Sequence, residues 1–109
     1  MQSDELLVAF VTCPPDKATA LADQLVIEKL AACVNIMPVS SVYIWEKEMK
    51  HDQESLLIFK TTSRAYKELS VRLKELHPYD VPEIIALKAE EVDEQYLKWV
   101  EKQTGPIEE

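Results

Sequence analysis

Three short apolar runs in this chain fail to alternate: Leu6-Leu7-Val8-Ala9-Phe10-Val11, Leu56-Leu57-Ile58-Phe59 and Ile84-Ile85-Ala86-Leu87. Runs of this length, bounded by turn signals, read as strands. A strand with one face in water shows apolar–polar alternation, and these do not. Both faces of the sheet they build must therefore be covered. Helices can cover one; a wide apolar patch on the other marks an interface. Self-association through that second face is the expectation, and the pattern fixes no subunit number.

The remaining elements follow from periodicity and punctuation. Leu6 to Cys13 is a strand stopped by Pro14-Pro15. Pro15 and Asp16 suit a helix start, and Ala18, Leu21, Ala22 and Leu25 form the stripe of an amphipathic helix reaching Ala31. From Cys33 to Met49 the residues are β-formers, interrupted by Pro38, which implies an edge position or a bulge and a bend. Lys50-His51-Asp52-Gln53 reads as a polar turn, and Ser55 to Thr62 as the strand that closes the hairpin. Ser63 is placed to cap a second helix lined by Ala65, Tyr66, Leu69, Leu73 and Leu76, ending at His77-Pro78. Ile84 to Ala89 is a fourth strand, and Asp93 caps a short third helix. Gly105-Pro106 closes the structure, leaving Ile107 to Glu109 as a frayed tail. The order β-α-β-β-α-β plus a C-terminal helix is an α+β, ferredoxin-like split-βαβ sandwich, a single domain over residues 1–109.

Composition removes several functions. The one glycine, Gly105, excludes the Gly-rich phosphate cradles of P-loop and dinucleotide type. A net charge of −8 opposes nucleic acid and anionic membrane surfaces as partners. No apolar run reaches the length of a membrane span. Cys13 and Cys33, with no CxxC pair and no signal-peptide core, point to a cytoplasmic protein with reduced thiols.

Candidate chemistry concentrates in His77-Pro78-Tyr79-Asp80-Val81-Pro82-Glu83, a polar loop stiffened by two prolines. Tyr43, Trp45, Lys60, His77, Tyr79 and Glu83 could line a pocket between subunits that takes an anion or small metabolite. They equally suit structural work: aromatics filling an interface, Lys60 paired with a carboxylate, His77 at its helix end. Cys13, Cys33 and His77 are the candidate metal ligands, for copper or zinc, although no chelating spacing joins them. A copper chaperone needs a second cysteine beside Cys13-Pro14-Pro15-Asp16. No nucleophile stands at a recognisable spacing from His77 or Glu83, so an enzyme is not expected.

Lys29-Leu30-Ala31-Ala32-Cys33-Val34-Asn35, Tyr43-Ile44-Trp45-Glu46, Lys60-Thr61-Thr62 and His77 to Ile84 together resemble the CutA family of divalent-cation tolerance proteins, in the family's order from Leu7 to Trp99. The resemblance implies a ferredoxin-like subunit in a homotrimer similar to the PII signalling proteins. It also implies a link to tolerance of copper and other divalent ions, with no enzymatic activity and no required cofactor. A PII-like small-molecule sensor with only an indirect metal link is the alternative. Some members have a proposed copper site from a first-strand cysteine and two adjacent histidines. Here those positions hold Thr12, with Cys13 one residue later, and Leu76 before His77. Lys47 stands where the family often has glycine.

Overall fold

The computed structural model describes residues 5–105. In chain order they form β1 (Leu6–Cys13), α1 (Pro15–Ile27), β2 (Cys33–Trp45), β3 (Glu48–Thr62), α2 (Ser63–Leu76), β4 (Ile84–Lys88) and α3 (Glu94–Gln103). This is the expected ferredoxin-like order with its additional helix. One antiparallel sheet runs β2-β3-β1-β4, so each helical crossover skips one strand. Pro106 and the tail Ile107–Glu109 lie outside the described residues.

The sheet's two faces are treated differently. Ala9, Val11, Leu57 and Phe59 face α1 and α2 and bury themselves against Leu21, Leu25, Leu69 and Leu73. Full burial of a side chain such as Leu57 or Phe59 contributes about 1.5–3 kcal/mol. The other face receives α3 at one end only, where Val100 and Leu97 pack on Leu6, Val8 and Ala32. Thr62 and Thr104 hydroxyls meet at 3.3 Å under that helix. Farther along, Ile85 and Leu87 on β4 remain half-exposed.

Local chemistry explains where the elements stop. α1 ends at Ile27, short of the expected Ala31, because Lys29 adopts a left-handed φ of 63°. The amides of Lys29 and Leu30 then bond back to the carbonyls of Val26 and Leu25, each at 3.0 Å. Glu28 receives the Arg72 guanidinium at 2.9 and 3.0 Å, which ties this end to α2 and holds the Glu28 carboxyl below its usual range. Thr62, not Ser63, caps α2, accepting the Ala65 amide at 3.2 Å.

The hairpin is the main departure from expectation. β2 ends at Trp45, and the turn is Glu46-Lys47 alone, with φ of 52° and 68°. Two left-handed residues make the tight turn whose twist matches its flanking strands. The expected turn Lys50–Gln53 is instead strand, paired with Tyr43, Val42, Ser41 and Ser40. A polar run on an exposed strand has its side chains solvated, so polarity alone did not mark a turn. Pro38 sits on the edge strand opposite Ser55 with unbroken register, so the edge alternative holds and no bulge interrupts the pairing. Beyond it the two strands continue as a ribbon with Val42 63% and Ile44 67% exposed on one face. Tyr43 and Trp45 point to the other face.

Candidate functional site: a cleft beneath the α2–β4 loop

The loop after α2 is held from behind by His77. Its amide closes the helix on the Leu73 carbonyl at 2.9 Å, and the residue is only 7% exposed. The Tyr79 amide donates to His77 Nδ1 at 3.1 Å, so the ring proton sits on Nε2. Nε2 then donates to the Thr12 carbonyl at 2.7 Å. Both nitrogens are engaged, and the loop is thereby fastened to the end of β1. The Tyr79 ring leans against the imidazole with centroids 4.8 Å apart.

In front of this support lies a cleft of about 490 Å³, lined by Thr12, Tyr43, Trp45, Glu54, Pro78, Tyr79, Asp80, Val81 and Glu83. Glu54, only 6% exposed, accepts the Tyr79 hydroxyl at 2.8 Å. Burial, reinforced by that bond and the Glu54 charge, pushes the Tyr79 phenol well above its ordinary range. Tyr43 donates to Asp52, and this bond, helped by desolvation, raises its phenol too. Both phenols are therefore protonated donors at neutral pH.

Four of the six residues expected at a pocket between subunits line this recess of the single chain: Tyr43, Trp45, Tyr79 and Glu83. His77 supports the wall rather than lining it. Lys60 is elsewhere: it sits opposite Val8 and Cys33 and its ammonium bonds the Asn35 side chain. The Glu54 to Lys60 span of β3 is about 20 Å at strand rise. Without Lys60 the lining holds no lysine, arginine or histidine, so the expected anion has no cationic partner. Of the other polar lining residues, Asp80 belongs to the candidate loop and Thr12 to the family's cysteine position, whereas Glu54 has no place in the sequence reading. The available signal for Glu54 was a carboxylate immediately ahead of the apolar run Ser55–Phe59.

The candidate metal ligands do not converge within the chain. Cys13 is fully buried among the helix-facing core residues, and burial, with Glu54 and Asp16, raises its thiol. Thr12, one residue earlier, faces the cleft, as strand geometry requires. Cys33 lies opposite Lys60, whereas Cys13 lies opposite Ser55. Among the described residues no group of three or more His, Cys, Asp or Glu side chains could hold a metal ion.

Fold and cleft together define a ferredoxin-like protein with an aromatic, carboxylate-rich recess. Residues 7–103 match the family model described as CutA1 divalent ion tolerance protein. The chain is 48% identical over 100 residues to the divalent-cation tolerance protein CutA of Thermus thermophilus, covering 90% of this chain and 97% of that one. It is 41% identical over 101 residues to human protein CutA, covering 91% of this chain and 56% of the human one. The PII-like protein CutA from Nostoc in apo form superposes with a TM-score of 0.88 at 32% identity, covering 91% of this chain and 97% of that one. The chain belongs to the CutA1 divalent ion tolerance family.

Proposed function

We propose that this chain is a non-enzymatic binding or regulatory protein of divalent-cation tolerance, acting as a cytoplasmic homotrimer. Its ligand site is the cleft beneath the His77–Glu83 loop, and its link to copper and other divalent ions is indirect, through the ligand held there. It does not use a site made of Cys13, Cys33 and His77. The observation that carries the reading is the cleft's built character: a stiff loop fastened through both nitrogens of a buried imidazole, with Tyr79 anchored on buried Glu54. The similarity to a PII-like protein supports a ligand-sensing role. The uncovered apolar residues Ile85, Leu87, Val42 and Ile44 support assembly. Two free thiols suit a reducing compartment.

Light scattering tests the assembly. The expected mass is three times the 12.5 kDa of one chain, falling in Ile44→Lys while far-UV dichroism is retained. A monomer mass for the unaltered chain overturns it. Calorimetry on reduced, tag-free protein tests the metal link. Stoichiometric Cu²⁺ binding abolished equally by Cys33→Ser and His77→Gln would establish the direct site and end the cleft reading.

A further inference from the structure

We propose that the cleft selects an organic ammonium ion, a primary amine or quaternary ammonium, over both anions and bare metal ions. The inference rests on the cleft being the ligand site and adds its ligand class. Three aromatic side chains, Tyr43, Trp45 and Tyr79, share the lining with three carboxylates, Glu54, Asp80 and Glu83. No cationic side chain of the chain is among them, so an anionic ligand would meet uncompensated negative charge along this lining.

A bare divalent ion is also poorly served. It needs several oxygens converging at about 2.0–2.6 Å, whereas these carboxylates belong to no converging group of three among the described residues. An organic ammonium has the opposite requirement, because its charge is distributed over a shell of CH₂ or CH₃ groups. Such a cation is attracted by aromatic faces within about 6 Å and by carboxylates at the rim of the same space. Two of the three rings are also oriented in advance. Tyr79 is pinned at its hydroxyl by Glu54 and at its backbone by His77, and Tyr43 is pinned by Asp52.

Size and charge agree with this class. A recess of about 490 Å³ lies in the range of small-molecule sites and is far larger than one desolvated metal ion needs. Glu54 is nearly buried, which weakens solvent screening of its charge inside the recess. The chain's net charge of −8 raises the local concentration of any cation.

The test is calorimetric titration of the full chain with tetramethylammonium chloride, butylamine hydrochloride, magnesium chloride and sodium phosphate at matched ionic strength. Saturable binding is expected for the two ammonium compounds and none for phosphate. Trp45→Ala should weaken ammonium binding about tenfold, and Glu83→Gln several-fold. Both positions are exposed in the single chain, and far-UV dichroism with light scattering verifies that each variant keeps its fold and its assembly. Absent ammonium saturation, phosphate binding, saturable displacement of the amine by magnesium, or an unaltered affinity in Trp45→Ala each overturns the proposal. An intact trimer that binds some other ligand lost in Trp45→Ala would leave the cleft as the site and reject only the ammonium class.

Discussion

The two halves of β3 make opposite use of one pattern. From Ser55 to Thr62 the strand has β1 on one side and β2 on the other, two helices beneath it and α3 over one end. From Glu48 to Gln53 it pairs with β2 alone, and apolar side chains of the ribbon stand exposed on both faces. Apolar residues on both faces therefore have two meanings in this molecule. In the inner half the chain answers the pattern itself. In the outer half it leaves the pattern for another surface, which under the proposed assembly is a second copy.

The largest predicted effect separates the halves directly. Phe59→Ala, in the inner half, should cost about 3–5 kcal/mol in denaturant unfolding. Val42→Ala, a comparable apolar loss in the ribbon, should leave unfolding of the dissociated chain within about 0.5 kcal/mol. Equal losses would dissolve the distinction.

A second effect sits where the halves meet, at Tyr79 and Glu54. A phenol whose folded pKa is raised stabilises the fold fully below the unfolded value of 10.0, and that contribution fades as pH rises through the folded value. The stability profile should thus decline above pH 10 in the unaltered chain and decline less in Tyr79→Phe. Removing the hydroxyl leaves Glu54 without that donor and should cost about 1 kcal/mol at neutral pH. An alkaline limb indifferent to Tyr79→Phe would show that Tyr79 does not link the two halves.

The smallest effect belongs to the ribbon's tip. Lys47 holds a left-handed conformation that glycine adopts without steric cost. Lys47→Gly should stabilise by about 0.5 kcal/mol, the relief of strain being partly offset by the freer unfolded chain. Destabilisation would mean that the lysine side chain, rather than the backbone, matters there.

The helix faces were legible because burial writes a period into the sequence, and α1 and α2 show it; the strand order followed from the order of the elements. The hairpin turn was not legible. Glu46-Lys47 lacks the asparagine or glycine that announces such turns, while Lys50–Gln53 imitates one in composition alone. The cleft was legible in its loop and its aromatics because Pro78 and Pro82 flag a fixed connection. Lys60 stands away from the recess of its own chain, opposite Val8 and Cys33. Glu54 escaped notice because only the tertiary fold buries it.

The register of the hairpin carries one more consequence. Thirteen consecutive residues of β2 pair with β3 without a slip, from Cys33 opposite Lys60 to Trp45 opposite Glu48. Cleft membership on the ribbon is thus a matter of parity: the odd positions Tyr43 and Trp45 belong to the recess, and the even positions Val42 and Ile44 to the far side. Inserting one residue between Pro38 and Tyr43 while the turn stayed fixed would change no side chain beyond it. It would, however, force a bulge or turn every residue on the insertion's inner side over. The ribbon therefore tolerates substitution far better than it tolerates a change in count.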